Sequence, residues 1–301
     1  MNCKENPYWG DKNPYADTEA KTPLRFAVIG AAGYVAPRHV RAIKETGNEL
    51  VAVVDPHDSV GYIDKYFPKA KYFREAIEFA AWTEGRCDWV SVCAPNYLHY
   101  DYSLLAMKAG ANVLCEKPLV VLSQDLGWLQ KGEIQSQRRV WTVLQLRLHP
   151  VIQELKEEYG DSEAEVEIEY STPRGPWYWQ SWKGDVKKSG GLAMNIGVHL
   201  FDMLLWVFGG VKDCRVDKAY VSAISGELEL ERARVKWSLS LNGNGPKRRI
   251  VVNGKEYEFS GGFEDLHTKV YEETLAGRGF GIEDVRPSVE LAWRIRNTTQ
   301  Q

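Results

Sequence analysis

The sequence has little of several features that would assign it to a specialised class. Its five cysteines are scattered through 301 residues and no two have C-x-x-C spacing, which excludes a disulfide scaffold and a zinc-finger framework. The 38 lysines and arginines nearly balance 41 acidic residues, so a net charge of -3 excludes a generally basic nucleic-acid-binding protein. The composition also excludes coiled-coil, collagen-like and disordered chains. We predict no metal site.

Long uninterrupted apolar runs are also scarce. The first 23 residues are polar and lack the apolar core of a signal peptide, and we treat them as an N-terminal extension. The most apolar segment, 192–211, carries Asn195, His199 and Asp202, each of which is costly in hydrocarbon. We therefore predict a core helix there, and a cytoplasmic protein that binds neither membrane nor nucleic acid.

From residue 24 the sequence repeats a strand-then-helix pattern. Segments with helical periodicity, at 35–46, 58–67, 74–84, 98–109 and 123–137, separate short β-branched runs. Continuous apolar runs are typical of strands buried on both faces, and their alternation with helices predicts a parallel sheet. The β-branched runs lie at 24–30, 49–55, 88–95, 111–118 and 139–147. The fold class is therefore α/β, with a Rossmann-type, doubly wound domain over residues 24–148.

After Pro150 the pattern changes. A helix at 151–159 precedes a strand at 164–172 that alternates with period two, and an apolar helix then extends to Phe208. Further alternating runs occupy 215–261, and helices at about 263–276 and 283–298 close the chain. We predict that residues 149–301 form an α+β domain with a large, open, mainly antiparallel sheet, which binds substrate and mediates oligomerisation.

The turn after the first strand predicts a dinucleotide site. A strand-to-helix turn without bulky side chains lets a pyrophosphate approach backbone N–H groups at the helix N-terminus. The spacing G-x-x-G-x-x-A is one residue longer than the usual fingerprint, and alone it is weak evidence. Asp55 ends the second strand, where it can bind the adenosine ribose and repel a 2′-phosphate, which favours NAD. The expected cofactor ligands in this turn are Gly30, Ala32, Gly33, Tyr34 and Val35.

Two more groups of residues follow strands at the same sheet edge. Glu116 and Lys117 end the strand at 111–118, while Pro95, Asn96 and His99 follow the strand before it. Open α/β sheets bind ligands at the carboxyl ends of their strands. We assign all five to the nicotinamide end of the cofactor site. A lone lysine is more often a solvated surface charge, but this position favours a functional one.

A third group opens the apolar helix of the second half. Asn195 and His199 are four residues apart, so they share one helix face, and Asp202 lies a further three residues along. A single histidine in such a helix is more often a core residue satisfied by its neighbours. Two polar residues on one face of so apolar a helix favour a site.

In combination, the glycine turn, PNYLH, EKP and GG-x3-N-x3-H resemble the Gfo/Idh/MocA family of nicotinamide-dependent sugar oxidoreductases, over about 24–298. More narrowly, the runs AGYVAPRHVRAIKE, TVLQLRLHP, SWKGDVKKSGGLAMNIGVHLFD and GFGIEDVRPSVELA resemble the WlbA/WbpB group, which are UDP-N-acetyl-2-amino-2-deoxy-D-glucuronate 3-dehydrogenases. This resemblance implies NAD-dependent oxidation of the sugar C3 hydroxyl in bacterial surface polysaccharide biosynthesis.

The resemblance also implies roles for individual residues. Lys117 corresponds to the catalytic or substrate-orienting lysine of the family, and His199 is the other acid–base candidate. Many family members have aspartate where this chain has Asn195, which can bind a hydroxyl but cannot accept a proton. The residues alone do not choose between Lys117 and His199 as the base, and we favour Lys117 with His199 beside it.

A UDP-uronate carries a pyrophosphate and a carboxylate, so its pocket requires cations. Arg147, at a strand end near the binding edge, is the favoured ligand for one of these anions. For Lys183 and Lys188, a solvated surface position is an equally good interpretation, and for Trp177 a packed position at the edge of the core is. Some WlbA/WbpB-type enzymes reoxidise NADH with 2-oxoglutarate, which Arg147 or Lys188 would bind. The remaining substrate-binding candidates are Arg174, Trp177, Lys183 and Lys188.

Three alternatives remain open from the sequence. The chain is a UDP-sugar 3-dehydrogenase, another sugar or inositol dehydrogenase of the family, or a catalytically silent NAD-binding sensor. We also expect a homo-oligomer, either a dimer or a tetramer. An open sheet would leave Trp237, Leu239 and Leu241 on an exposed face that needs cover.

Overall fold

The computed structural model describes residues 22–298, and its first half is the predicted Rossmann domain. Its six strands are β1 (Arg25–Ile29), β2 (Glu49–Val54), β3 (Lys71–Phe73), β4 (Trp89–Val92), β5 (Asn112–Cys115) and β6 (Val140–Thr142). These parallel strands form one sheet in the order β3-β2-β1-β4-β5-β6. The helices are α1 (Ala36–Glu45), α2 (Ala76–Thr83), α3 (His99–Lys108) and α4 (Asp125–Ser136).

The five predicted strands are present, and the structure adds β3. Its three residues are largely exposed at the sheet edge, so they carry no apolar run that would predict a strand. The helix predicted at 58–67 is only a short 3-10 turn, Gly61–Lys65. Within the sheet, residues such as Ala27, Val90 and Val113 are fully buried, as expected for strands covered on both faces.

The second half contains a second sheet of six strands, β7 (Ala164–Ser171), β8 (Val211–Tyr220), β9 (Ala223–Leu230), β10 (Ala233–Ser240), β11 (Lys247–Val252) and β12 (Lys255–Glu258). Their order in the sheet is β12-β11-β7-β10-β9-β8. Only β7 and β10 are parallel, and the other neighbouring pairs are antiparallel. The run at 215–224 is split by a turn at 221–222 instead of forming one strand. The helices are α5 (Pro150–Tyr159), α6 (Pro176–Gln180), α7 (Val186–Ser189), α8 (Val198–Phe208), α9 (Leu266–Leu275) and α10 (Ile282–Thr298). This α/β architecture confirms the predicted fold class.

The apolar face of the second sheet is covered within the chain, which corrects one expectation. Trp237, Leu239 and Leu241 are at most 3% exposed, and Phe201 of α8 packs edge-on against the Trp237 ring at 5.3 Å. The opposite face of the sheet carries charged residues, including the ion pair of Lys247 with Glu169. These tryptophan and leucine side chains therefore give no reason to expect an oligomer.

The apolar helical segment Val186–Phe208 is long and hydrophobic enough to cross a membrane by length and composition alone. In the structure, 83% of its most apolar window is buried. Its α8 part packs against helices α5 and α10, and Phe201 of α8 contacts Trp237 of the second sheet. A short π-helical stretch, Ala193–Gly197, precedes α8. The segment is therefore packed as a core helix, and its length and hydropathy are only weak evidence for a membrane span.

The chain returns to the first domain near its end, which the division at residue 148 does not anticipate. Helix α9 packs against α1, and its Tyr271 is 1% exposed beside Phe26 of β1, with ring centroids 5.6 Å apart. Phe280 then bridges Thr142 of β6 in antiparallel fashion. The cofactor domain therefore includes residues from two distant parts of the sequence.

Candidate active site

A cleft of about 850 Å³ lies at the carboxyl edge of the first sheet, where the second sheet faces it. All eleven residues that we predicted as cofactor ligands line this cleft. Arg174, Lys183, Asn195 and His199 line it as well. The cofactor ligands concerned are Gly30, Ala32, Gly33, Tyr34, Val35, Asp55, Pro95, Asn96, His99, Glu116 and Lys117. The structure thus brings these residues together in one cleft, and their roles as ligands stay predictions.

The glycine turn at the start of the cleft depends on the absence of a side chain. Gly30 has φ of +86°, and a Cβ atom there would lie 2.5 Å from the backbone nitrogen of Ala94. Among residues 22–298, no hydrogen-bond partner is found for the backbone N–H groups of Tyr34 and Val35 just before α1. Free N–H groups at a helix N-terminus bind phosphate oxygens. This turn therefore fits a pyrophosphate.

Asp55 is held at the end of β2 by the backbone around it. Its Oδ2 accepts a hydrogen bond from the Ala32 N–H at 2.9 Å, and its Oδ1 accepts one from the His57 N–H at 2.9 Å. Each carboxylate oxygen retains further lone pairs that can accept from a hydroxyl. The carboxylate is thus fixed where an adenosine ribose would lie.

The strand order gives the cleft a direction. Moving along the sheet edge from β2 through β1 and β4 to β5, the ends carry Asp55, Gly30, Pro95 and then Glu116. Adjacent strands lie about 4.8 Å apart, so the ends of β2 and β5 are separated by about 14 Å. A dinucleotide with its adenosine at Asp55 therefore extends toward Glu116 and Lys117. The donor set fits NAD.

Lys117 lies at the junction of the two sheets. A cis peptide bond joins it to Pro118, and its Nζ donates a hydrogen bond at 2.8 Å to the main-chain oxygen of Asn195. Burial lowers the pKa of Lys117 to about 8, and the positive charges of Lys183 and Arg174 act in the same direction, while Glu116 opposes them. Lys117 can therefore exchange a proton near neutral pH.

His199 faces the same cleft from α8. Burial, followed by the charge of Lys117, holds the pKa of His199 well below its usual range. The imidazole is therefore neutral at pH 7, so it can accept or donate a hydrogen bond to a hydroxyl group. The lowered pKa makes it a weaker proton acceptor than an ordinary histidine.

Asn195 holds the site together through both ends of its amide. Its Oδ1 accepts from Asn96 Nδ2 at 3.1 Å, and its Nδ2 donates to the Tyr178 hydroxyl at 2.9 Å. Since its main-chain oxygen also binds Lys117, this residue links the two domains at the lysine. These contacts give Asn195 a positioning part at the junction of the two domains.

His99 supports the loop that carries Lys117. One ring nitrogen, Nδ1, lies 2.6 Å from the main-chain oxygen of Pro118, and Nε2 lies 2.8 Å from that of Ala94. Because both nitrogens contact the protein and the side chain is 1% exposed, its ring is engaged by the scaffold. His99 therefore joins the ends of β4 and β5 rather than presenting a free nitrogen to the cofactor.

A group of cations forms the opposite wall of the cleft. Arg174 and Lys183 were predicted, whereas Arg248 of β11 was not. The Arg248 guanidinium stacks over the rings of Tyr170 and Phe263, at 5.2 and 4.5 Å from their centroids. Within residues 22–298, none of these three cations has a carboxylate within 4.0 Å. Burial lowers the pKa of Lys183, with Arg174 adding to this effect. The wall thus favours an anionic ligand.

Three predicted substrate ligands lie elsewhere. Arg147 does not line the cleft, because its guanidinium forms a bidentate pair with Asp202, at 2.9 and 2.7 Å, and is 7% exposed. Trp177 is 54% exposed, and the Lys188 side chain is 50% exposed, near Asp185. The predictions for Arg147, Trp177 and Lys188 are therefore not supported by their positions.

Sequence reasoning also missed several residues of the cleft. Arg248 had a detectable signal, because it shares a strand face with the buried residues Ile250 and Val252. A charge on the apolar face of a strand is unusual unless it has a function. The others had no comparable signal: Arg38, Arg74, Tyr102, Gln145, Tyr170, Thr172, Trp182 and His267.

The fold and cleft are those of a nicotinamide-dependent dehydrogenase with a Rossmann domain. The model of the oxidoreductase family Gfo/Idh/MocA, NAD-binding Rossmann fold, matches residues 24–143, and that of its C-terminal alpha/beta domain matches 163–241. Together they cover more than half of the chain. The chain belongs to the Gfo/Idh/MocA oxidoreductase family, and its first domain is an NAD-binding domain.

Among solved structures, the WlbA (WbpB) dehydrogenase from Thermus thermophilus in complex with NAD and UDP-GlcNAcA is 44% identical, with a TM-score of 0.87, and the match covers 91% of this chain and 94% of that one. The same enzyme in complex with NAD and alpha-ketoglutarate is 45% identical, with a TM-score of 0.88 and the same coverage. D-Glucoside 3-dehydrogenase from Escherichia coli (strain K12) is 30% identical over 62% of this chain. The matched region spans about half of the length of this curated relative, namely 55% of it.

Proposed function

We propose that this protein catalyses the NAD-dependent oxidation of the C3 hydroxyl of UDP-N-acetyl-glucosaminuronic acid to a 3-keto sugar. The observation that carries the proposal is the cationic wall of the cleft, Arg174, Lys183 and Arg248, which has no acidic partner among the described residues. A nucleoside diphosphate and a uronate carboxylate supply the missing negative charge. A neutral polyol would leave the partly buried Lys183 and Arg248 uncompensated.

The comparison with the Thermus thermophilus enzyme supports the same substrate, because that structure contains NAD and UDP-GlcNAcA at 44% identity. Its complex with alpha-ketoglutarate supports a second step, in which a dicarboxylate reoxidises the cofactor in the same cleft. A keto acid with two carboxylates also suits the cationic wall. We extend the proposal to bacterial surface polysaccharide biosynthesis in the cytoplasm.

We further propose parts for individual residues of the cleft. The glycine turn and Asp55 would hold NAD, which supplies the hydride acceptor. Lys117, with a pKa of about 8, takes the hydroxyl proton as the C–H bond breaks. The Asn195 oxygen keeps the Lys117 amine aimed across the domain boundary. His199, neutral at this pH, orients the hydroxyl by a hydrogen bond.

A single-turnover experiment tests this proposal. NAD-loaded protein is mixed with one equivalent of UDP-GlcNAcA, the absorbance of reduced nicotinamide is followed, and 2-oxoglutarate is then added. A rise that 2-oxoglutarate reverses supports both steps, and a lasting rise supports the first alone. If the absorbance does not rise with UDP-GlcNAcA but rises with inositol or a free sugar, that compound is the substrate instead. No rise with any of them, despite NAD binding, would favour the silent sensor.

A further inference from the structure

Three buried side chains, those of Glu116, His39 and His267, meet beside Lys117, and the proposed reaction gives none of them a part. Oε1 of Glu116 lies 3.0 Å from Nε2 of His39 and 3.0 Å from Nε2 of His267. The exposed fractions of these side chains are at most 8%. They come from α1, from the end of β5 and from α9, and we call them the His–Glu–His cluster.

The neighbouring hydroxyl groups fix the protons of this cluster. His39 Nδ1 lies 2.9 Å from the Tyr271 hydroxyl, which in turn lies 2.5 Å from Oγ of Ser91. A carboxylate only accepts hydrogen bonds, so each Nε2 carries the proton that it donates to Glu116. A neutral His39 therefore has a bare Nδ1, which accepts from Tyr271, and Ser91 donates to the Tyr271 oxygen.

Hydrogen bonds explain the cluster better than a metal ion does, although its three ligand-type atoms lie within 4.8 Å of one another. A histidine that binds a metal almost always donates its second N–H to a partner. Nδ1 of His267 is buried and has no partner among the described residues. If this nitrogen carries no hydrogen, leaving it buried without a partner costs less free energy than leaving a buried N–H group unpaired.

The Glu116 carboxylate keeps its negative charge within this cluster. Burial alone would raise the pKa of Glu116, but the hydrogen bonds from His267 and His39 hold it well below its usual range. Burial also lowers the pKa of His39, so this imidazole does not neutralise the carboxylate. The charge lies at the end of the cleft opposite Asp55, and both Glu116 and His267 line it.

We propose that the His–Glu–His cluster is a fixed negative charge that makes this protein bind oxidised NAD in preference to the reduced form. The nicotinamide ring is positively charged when oxidised and neutral when reduced, so a nearby buried anion stabilises only the oxidised ring. Preferential binding of the oxidised form lowers the reduction potential of the bound cofactor. The bound, reduced cofactor is then a stronger hydride donor toward a keto acid. This inference rests on the NAD site and holds for any sugar substrate.

The direct test compares the dissociation constants of NAD and NADH for the wild-type protein and Glu116→Gln, measured by isothermal titration calorimetry. We expect the ratio of the NADH constant to the NAD constant to fall about tenfold in the variant, since glutamine keeps the size but removes the charge. Glu133→Gln is the matched control, because Glu133 is a partly buried carboxylate of α4 outside the cleft. Its ratio should equal that of the wild-type protein.

A second pair of variants keeps the test decisive if Glu116→Gln does not fold. His267→Leu removes one of the two donors and should lower the ratio by a smaller factor, whereas His267→Gln retains a donor and should restore it. The proposal is overturned if both constants change by the same factor in Glu116→Gln or, where that variant does not fold, in His267→Leu. Stoichiometric bound metal in the purified protein would also overturn it. Absence of any NAD binding by the wild-type protein would instead remove the proposed function.

Discussion

The charged residues behind the cleft and those that face it have opposite arrangements. Behind it, the Arg147 guanidinium is fully paired with Asp202. Facing it, Arg174, Lys183 and Arg248 have no acidic partner among the residues described. Since a partly buried charge without a partner is costly, the paired Arg147 serves the scaffold, whereas the unpaired Lys183 and Arg248 are maintained for a ligand. The pairing of a charge, rather than its sequence position, separates the two roles.

The largest expected effect comes from the reacting end of the cleft. Lys117→Met should slow hydride transfer by about 10³-fold, because it removes the proton acceptor. The NAD dissociation constant should change little. Stopped-flow absorbance of reduced nicotinamide measures the first quantity, and calorimetry the second. Lys188→Met is the control, since Lys188 lies outside the cleft, and full activity of Lys117→Met would remove our assignment of the base.

The scaffold side of the comparison predicts a loss of stability. Arg147→Met should lower the free energy of unfolding by about 3 kcal/mol, because it leaves the Asp202 carboxylate buried without its partner. Denaturant titration measures this loss. The double variant Arg147→Met/Asp202→Leu should recover most of it. If Arg147→Met instead kept its stability and lost affinity for the sugar nucleotide, the boundary between the two groups of charges would be wrong.

The cationic wall predicts an effect on substrate alone. Arg248→Met should raise the KM for UDP-GlcNAcA by about thirtyfold, the cost of a charged hydrogen bond of about 2 kcal/mol. The dissociation constant of NAD should not change, because Arg248 lies on the wall of the cleft opposite the proposed NAD site. Arg249→Met is a matched control, since Arg249 points to the other face of β11 and pairs with Glu256. Equal effects of the two variants would contradict the prediction.

The smallest effect concerns the pH dependence of the rate. The neutral amine of Lys117 accepts the proton, so the rate of sugar oxidation should fall as the pH drops through about 8. Lys183 lowers the pKa of Lys117, and therefore Lys183→Met should move the midpoint of the profile to higher pH. Pre-steady-state rates at saturating substrate measure it. A midpoint that moved to lower pH would exclude this electrostatic coupling.

Much of the cofactor side of this molecule could be predicted from its sequence, because local patterns determine it. The glycine turn, Asp55 and EKP each follow a strand, and the parallel topology places strand ends at one edge. The position of Arg147 outside the cleft could not be predicted, because sequence does not reveal that Asp202, on a helix far along the chain, pairs with its guanidinium. Arg248 was overlooked although it lies on the apolar face of β11, whereas His267 was missed because its position depends on the long-range packing of α9.

The return of α9 to the first domain has a consequence for synthesis of the protein. A ribosome that has released residue 148 has supplied all six strands of the cofactor domain, but neither His267 nor Tyr271. Until more than a hundred further residues emerge, Glu116 lacks one of its two donors, and the surface of α1 that α9 covers stays open to solvent. Completion of the cofactor site is therefore coupled to completion of the chain, and a fragment cut at the apparent domain boundary would not contain it.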